Sequence, residues 1–125
     1  MTLKDYKDEF KKTFAWADAI SIGKIDNNQE KAICFYNSKR GSYQNTINEK
    51  TTIIKHVTVL LRYTKNQNKA EIKANEVFKF YENRQFEING KNIFVIMQCP
   101  EPISLGTDDN NIYEYSIELD FYEQI

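Results

Sequence analysis

The chain has 125 residues, which suits a single domain spanning residues 1–125, and its net charge is −1 at pH 7. Hydrophobic residues make up 41% and aromatic residues 14%, a composition typical of a folded, strand-rich protein rather than a disordered tail. The near-neutral charge argues against a general nucleic-acid binder, and no apolar run approaches the roughly 20 residues that span a bilayer.

The first helix is predicted from Leu3 to Phe14. Thr2 and Asp5 have the spacing of a capping box at its start. At the helical period, one face collects the apolar residues Leu3, Tyr6, Phe10, Phe14 and Ala17. The opposite face carries Lys, Asp and Glu, so we expect a surface helix that lies on a sheet. The amino-terminal residues also lack the hydrophobic region of a signal peptide, which argues against secretion by that route.

Two strands are predicted next, in AISIGKI (Ala19–Ile25) and KAICFY (Lys31–Tyr36). The turn residues DNNQE between them predict a hairpin. The polar stretch that follows, residues 37–51, is nearly devoid of hydrophobic residues, and we interpret it as a loop or an extended hairpin arm that serves a function. Two cysteines, Cys34 and Cys99, lie in apolar contexts, and we expect free thiols in a reducing cytoplasm, although a disulfide stays open.

A long internal strand is predicted from Thr52 to Thr64, with Val57, Val59, Leu61 and Tyr63 on one side. A second helix is predicted from about Lys69 to Glu82. Its buried stripe consists of Ala70, Ala74, Val77, Phe78 and Tyr81. On this helix Ile72 points the other way, which hints at a contact outside the monomer.

The last third of the chain predicts a hairpin and a terminal strand. Asn89-Gly90 is a strong signal for a type I′ turn, and the apolar strand after it, residues 93–98, is expected to be central. In the terminal strand Tyr113, Tyr115, Ile117, Leu119 and Phe121 alternate with Glu114, Ser116, Glu118 and Asp120. The predicted fold is therefore α+β, an antiparallel sheet packed by two helices in the order α-β-β-β-α-β-β.

No constellation of residues indicates catalysis, and we expect no enzyme, no cofactor and no metal. His56, the single histidine, lies in the middle of a predicted strand, where a structural role is the commoner one. TDDNN (Thr107–Asn111) lacks the ligand spacing and the distal Glu of a calcium loop, so we interpret it as a turn. The spacing of the two cysteines and the histidine matches no common zinc site.

Two features favour an assembly protein. No Lys or Arg follows Lys91, whereas seven acids do, so residues 1–91 hold all 17 bases. If this asymmetry survives folding, it favours head-to-tail association; alternatively, the strands interleave and the charges mix. The terminal strand, with Tyr122 among its acids, is also a candidate edge for pairing with a neighbour.

Several segments resemble, in order, a bacteriophage family of minor capsid or tail terminator proteins. EPISLGTDDNNIYEYSIELDFY is similar to the carboxy-terminal signature of that family, with Pro, Leu-Gly-x-Asp, a polar turn and a strand of aromatic and acidic residues. WADAISIGKIDNNQEKAICFYNSKR resembles its amino-terminal part, and VTVLLRYTKN leads into an Ala-containing helix as in the family. Where the family tends to carry Gly in the turn, this chain has Asn110-Asn111, which tolerates a positive φ.

The resemblance implies a small α+β structural protein that forms a ring, hexameric in relatives, on a finished tail tube. Such a ring stops polymerisation of the tube protein and joins the tail to the neck proteins, and DNA passes through its channel without specific binding. The same fold also serves in headless tail-like bacteriocins. The implied place is the tail or neck of a virion, assembled in the bacterial cytoplasm, with no membrane involved.

Under this hypothesis the acids Glu114, Glu118 and Asp120 either face the lumen, where they repel DNA phosphates, or pair with bases of the next subunit. The candidate bases are Lys39, Arg40 and Lys55. Tyr43, in the polar arm, and Ile72 complete the candidate interface residues. Two other function classes stay open: a head-completion or neck connector protein, and a small monomeric inhibitor or immunity protein.

Overall fold

The structure is a computed structural model that describes residues 1–14, 19–25, 30–45 and 50–124, without the side chains of residues 43–45, 50 and 51. Two helices and eight strands occur in these ranges. In chain order they are α1 (Leu3–Lys11), β1 (Ala19–Ile22), β2 (Lys31–Asn37), β3 (Ser42–Asn45), β4 (Lys50–Tyr63), α2 (Gln67–Tyr81), β5 (Gln85–Ile88), β6 (Lys91–Met97), β7 (Ile103–Thr107) and β8 (Tyr113–Gln124). The predicted α+β class with two helices is confirmed.

One sheet contains all eight strands, and β4 and β8 form its centre. These two strands pair antiparallel from Thr52 opposite Gln124 to Arg62 opposite Glu114. On its other side β4 pairs with both β2 and β3, and β8 likewise pairs with both β6 and β7. The outermost strands are β1, beside β2, and β5, beside β6. Each long strand is thus flanked by two shorter ones.

The predicted antiparallel sheet and the predicted element order are both wrong in detail. β1 and β2 pair in parallel, with Ala19 opposite Ala32 and Ile22 opposite Phe35, so the sheet is mixed and the predicted hairpin is absent. A turn signal shows only that the chain changes direction, and the segment between Ile22 and Lys31 is long enough to return to the start of a parallel neighbour. Most of DNNQE (residues 26–29) lies outside the described residues.

β7 forms in a segment that had been interpreted as a connection, whereas β3 pairs antiparallel with the start of β4 in the stretch interpreted as a loop or an extended hairpin arm. β3 and the start of β4 lie within the polar stretch 37–51, whose residues 46–49 fall outside the described part of the chain. β7 lies within the Pro-containing stretch before the last strand and pairs with β8. Both are edge strands, where the backbone hydrogen bonds of one neighbour stabilise a strand that has no alternating apolar pattern.

Both predicted helices form, and α2 runs from Gln67 to Tyr81 rather than from about Lys69 to Glu82. In α1 the Asp5 carboxylate accepts hydrogen bonds from the N–H of Thr2 (2.8 Å) and from its hydroxyl (3.1 Å), but the helix ends at Lys11, before Phe14. In α2 the Asn66 side chain accepts a hydrogen bond from the N–H of Lys69 (3.1 Å). The predicted buried stripe of α2 is confirmed throughout, and Tyr6 and Phe10 are the buried residues of α1. Ala17 lies outside the described residues.

Both helices pack on one face of the sheet and enclose an aromatic core. Tyr6 stacks on Phe121 with ring centroids 3.7 Å apart, and Phe10 stacks on Tyr81 at 6.1 Å. Val57, Val59 and Leu61 of β4 are fully buried beneath them. The terminal strand also turns its predicted residues inward, because Tyr115, Ile117, Leu119 and Phe121 are all buried. Burial of these apolar side chains is the main stabilising contribution to the fold.

The terminal strand is nevertheless an internal strand, not the predicted edge. β4 covers one side of β8 along almost its whole length, and β6 and β7 together cover the other side. The backbone of β8 therefore has no open side for a neighbouring chain. An alternating pattern indicates which face of a strand is buried, but it carries no information about which strands lie beside it.

Candidate assembly surface

The face of the sheet opposite the helices, which we call the open face, has no helix over it among the described residues. Its centre consists of cross-strand pairs between β4 and β8: Ile54–Tyr122, His56–Asp120, Thr58–Glu118, Leu60–Ser116 and Arg62–Glu114. The small side chains Ala32, Cys34, Thr58 and Ser116 are buried on this face, because the sheet curls and larger neighbours shield them. The predicted acids of the terminal strand thus lie on a curled surface between neighbouring strands.

The acids of the open face have hydrogen-bond donors within the chain. The Nδ1 atom of His56 lies 2.5 Å from Oδ1 of Asp120, which also accepts a hydrogen bond from Nε2 of Gln98 at 2.6 Å. The hydroxyl of Thr58 donates to Oε2 of Glu118 at 2.7 Å. His56 therefore has the structural role expected of it, and the carboxylates are half-buried members of a polar network rather than a freely solvated stripe.

A buried cation lies at the end of this stripe. Arg62 is fully buried and its guanidinium bonds the carboxylate of Asp108, in the turn before β8. Burial raises the pKa of Asp108, but the N–H groups of Ile112 and Asn110 and the charge of Arg62 outweigh it and hold that pKa below its usual value. The turn also requires Asn111 at a φ of 64°, so Asn occupies the left-handed position as expected.

Glu114, opposite Arg62, has the reverse shift. Burial is the main cause that raises the pKa of Glu114 above its usual value, the negative charge of Asp108 adds to it, and Arg62 opposes it. The carboxyl is half-buried on β8. Arg62 therefore interacts electrostatically with two carboxyl groups, those of Asp108 and Glu114.

Four large apolar side chains stand exposed on the strands that flank β8. The exposed fractions are 39% for Phe94 and 51% for Ile96 on β6, and 39% for Ile103 and 51% for Leu105 on β7. We call these four residues the apolar rim. The sequence analysis missed this surface, because residues 93–98 were expected to form a central strand, whereas β6 lies one strand from the end of the sheet and exposes Phe94 and Ile96. The available signal was that two helices can cover only one face of a wide sheet.

A basic cleft lies on the opposite side of the sheet centre, at the connection from β2 to β3. It has a volume of about 470 Å³, and Lys39, Arg40 and Lys55 are among its lining residues. Lys55 donates a hydrogen bond to the carbonyl of Met1 at 2.8 Å, whereas Lys39 and Arg40 extend into solvent. The one carboxylate in the cleft, Glu123, is buried and accepts a hydrogen bond from the hydroxyl of Tyr6.

The predicted interface residues thus fall into three places. Glu114, Glu118 and Asp120 share the open face, and the three bases share the basic cleft. Ile72 is 52% exposed on α2, on the far side of the molecule from the open face, as predicted. The side chain of Tyr43 is outside the described part of the chain. The structure therefore separates these acids and bases within one molecule.

Of the two cysteines, Cys34 lies on β2 and Cys99 follows β6. Cys34 is buried and Cys99 half-buried, and both are free thiols. Burial raises the pKa of Cys34 above its usual value. Within the described ranges no group of three or more His, Cys, Asp or Glu is placed to hold a metal ion. Neither described helix has the length and apolar character needed to cross a bilayer.

Comparison with known proteins identifies the family. The sequence profile of a family described as bacteriophage tail terminator protein matches residues 10–122, which is nearly the whole chain and includes β1 to β7 and most of β8. No curated protein matches the chain. The matched family consists of phage structural proteins, so membership gives the chain a structural role in tail assembly as a component of the virion. The chain belongs to the bacteriophage tail terminator family.

Proposed function

We propose that the chain forms a ring, a homohexamer, on the end of a finished tail tube. The ring stops polymerisation of the tube protein and joins the tail to a neck or head-completion protein where a head is present. The tail belongs to a phage or to a tail-like bacteriocin, and the ring assembles in the bacterial cytoplasm. Its partners are other copies of the chain, the tube protein and the neck protein, and DNA passes through the ring without specific binding.

The apolar rim is the observation that carries this proposal. Four large side chains, each between 39% and 51% exposed, are grouped beside one long strand rather than scattered over the surface. A grouped apolar surface of this kind marks a place where a protein contacts a partner. Assembly into a ring gives these side chains a dry environment, and the family match supplies the setting.

The polar stripe of the open face supports a lumen position for its acids. Glu118 and Asp120 already accept hydrogen bonds from Thr58, His56 and Gln98, so they have less need of a neighbour's bases. With Glu114 they present fixed negative charge, and such a surface repels the phosphates of passing DNA. Lys39, Arg40, Lys55 and the arm with Tyr43 then contact other subunits or the tube. Ile72 contacts a partner on the outer side.

Polymerisation of the tube protein from the same phage or bacteriocin tests the proposal. With the chain present, electron microscopy should show tubes of limited length with a ring at one end. The double variant Phe94→Ser with Ile96→Ser should lose this capping, whereas Ile22→Ser, 42% exposed on β1, is the matched control and should retain it. Tubes that grow without limit while the wild-type chain is present contradict termination.

The same experiment separates the rival functions. A neck connector would bind the end of a tube without changing its length. A monomeric inhibitor or immunity protein would neither bind tubes nor associate with itself in light scattering. Either pattern would replace the proposed function.

A further inference from the structure

Three clefts that share lining residues follow the outer edge of β6 and the connection from β6 to β7, and we call them together the groove. The volumes of the three clefts are about 370, 350 and 460 Å³. The first two share the lining residues Asn83 and Ile96, and the second and third share Cys99 and Pro100. The groove therefore extends from the end of α2 to Ile103 of the apolar rim.

One wall of this groove is an open strand edge. β5 pairs with β6 only as far as Phe94, and no strand lies beside the rest of β6 on that side within the described ranges. The N–H of Val95 donates to the carbonyl of Arg84 (3.0 Å) on this side, and alternation places the N–H of Met97 there too. All residues of β7 are exposed. The groove thus combines apolar side chains with available backbone groups.

The charge of the groove is negative. Glu71, Glu82 and Glu101 line it, and all three are exposed. The cation among its lining residues, Arg84, donates a hydrogen bond to Glu9 at 3.2 Å and lies over the ring of Phe80 at 4.1 Å. Since Arg84 is engaged in this way, the three carboxylates make the groove attractive to cations.

The complementary surface is the corner between β2 and β3. Lys39 and Arg40 are both exposed there and are followed by Gly41, where an added Cβ would meet the carbonyl oxygen of Ile54 at 2.9 Å. This close approach fixes the backbone of the corner against β4. The corner thus presents two cations from a backbone that is held in place.

The corner adjoins β3 and the groove adjoins β6, on opposite sides of the central β4–β8 pair within the sheet. The two surfaces therefore cannot meet within one molecule. β3 flanks β4, β6 and β7 flank β8, and β4 pairs with β8. At about 4.8 Å for each strand spacing, three spacings separate the two surfaces by about 15 Å. Two different surfaces on opposite sides give a head-to-tail contact, which closes into a ring when the rotation fits.

We propose that the Lys39–Arg40 corner of one copy docks into the acidic groove of the next copy. This contact rests on the proposed ring and specifies how its subunits join. Arg40 and Lys39 approach Glu101 and Glu71 of the neighbouring copy, and the apolar rim beside the groove is covered in the same step. The occupant of the groove is therefore a second copy of this chain rather than a foreign protein.

Thiol cross-linking tests this contact, because the native Cys99 lies in the groove and is half-buried. The full chain with Ser38→Cys, an exposed position beside Lys39, keeps both cations and carries one thiol on each of the two surfaces. Mild oxidation should join successive copies into a ladder that continues beyond the dimer, since only a head-to-tail contact links each copy to two others. Adding Cys99→Ser should remove every product larger than a dimer. The control Lys11→Cys, exposed on α1, should give no ladder.

The outcomes separate the contact from the proposed function. Tube termination by the Ser38→Cys chain without a ladder overturns the contact alone. A ladder without tube termination supports the contact and contradicts the proposed function. Circular dichroism of each variant checks that the fold is intact before either result is scored.

Exchange of charges gives a second, independent test. Arg40→Glu and Glu101→Arg should each weaken self-association about five- to tenfold, because each places like charges together in every contact of the ring. Combining both substitutions in one chain should restore association to near the wild-type level. Glu30→Arg changes an equally exposed acid at the start of β2 and should have no effect. Loss of association in the combined chain, like that of the single variants, contradicts the pairing.

Discussion

On the helix-covered face of the sheet, apolar side chains of β2, β4, β6 and β8 meet an aromatic layer from α1 and α2, and nearly every one is fully buried. On the open face, the same strands carry a polar network in the middle and exposed apolar side chains at one side. The apolar side chains of the covered face pack against one another within one chain. The open face has a polar network held by hydrogen bonds within the chain and an apolar rim that is exposed to solvent.

We therefore expect the covered face to determine the stability of the fold and the open face to determine assembly. Substitutions on the covered face should change the free energy of unfolding, because they open cavities in a packed interior. Substitutions of the apolar rim should change association and leave the free energy of unfolding almost unchanged.

The largest effect is expected from Phe121→Ala. Phe121 is fully buried, stacks on Tyr6 at 3.7 Å and meets the rings of Tyr81 and Phe86 edge-on. Removing its ring should lower the free energy of unfolding by about 3–5 kcal/mol, measured by urea denaturation. Phe94→Ala removes the same ring from the open face and should cost less than about 1 kcal/mol. Equal losses in the two variants would show that the faces do not differ.

Asp108→Ala should have the next largest effect. It leaves the guanidinium of Arg62, which is fully buried, without its carboxylate partner in the turn before β8. Loss of this hydrogen bond between a buried cation and a carboxylate should cost about 2–3 kcal/mol, and urea denaturation should show that loss. Asp109→Ala changes the adjacent exposed residue and should stay within about 0.5 kcal/mol of the wild type. A neutral Asp108→Ala would mean that Glu114 alone satisfies the cation.

Gly41→Ala should have a moderate effect. Its new Cβ would lie 2.9 Å from the carbonyl oxygen of Ile54, so the corner must move away from β4. We expect a loss of about 1–2 kcal/mol in the free energy of unfolding, together with weaker self-association of the chain. Gly90→Ala is the control, because alanine at a φ of 78° should strain the turn between β5 and β6 without touching the corner. Weaker association in the Gly90 variant as well would point to a general loss of stability.

The smallest effect concerns pH. Because the pKa of Glu114 is raised in the folded state, that state binds more protons, and stability falls as the pH rises through the range between the ordinary and the raised value. Asp108 acts in the opposite sense: its lowered pKa gives stability above the ordinary carboxyl value that is lost in acid.

Glu114→Gln should therefore remove the fall in the free energy of unfolding that occurs as the pH rises above the ordinary glutamate pKa, a change of less than about 1 kcal/mol. The loss of stability in acid, which depends on Asp108, should remain. Urea midpoints measured across the acidic and neutral range compare the two chains. If the wild type and Glu114→Gln show the same dependence of stability on pH, the raised pKa of Glu114 does not contribute to stability.

Much of the local structure could be predicted from the sequence, because it depends on neighbouring residues. The Thr2 and Asp5 cap, the Asn89-Gly90 turn with φ values of 51° and 78°, and the buried stripe of α2 all follow from spacing and backbone preference. The inward side of the terminal strand followed from its alternation.

The arrangement of strands could not be predicted, because it depends on partners far apart in the chain. The parallel pairing of β1 with β2 and the position of β8 inside the sheet leave no mark in local alternation. The hydrogen-bond partners of the open-face acids could not be predicted either, since the sequence does not show that His56 and Thr58 lie directly opposite Asp120 and Glu118. The apolar rim becomes visible only once both helices are placed on the same face.

The most direct test of the account is hydroxyl-radical footprinting of the chain, free in solution and bound to purified tails. The account predicts that Phe94, Ile96 and Leu105 of the apolar rim react readily in the free chain and become protected in tails. Ile22, exposed on β1, should react equally in both states. Equal labelling of the apolar rim in free and tail-bound chains would contradict the claim that this surface is buried by assembly.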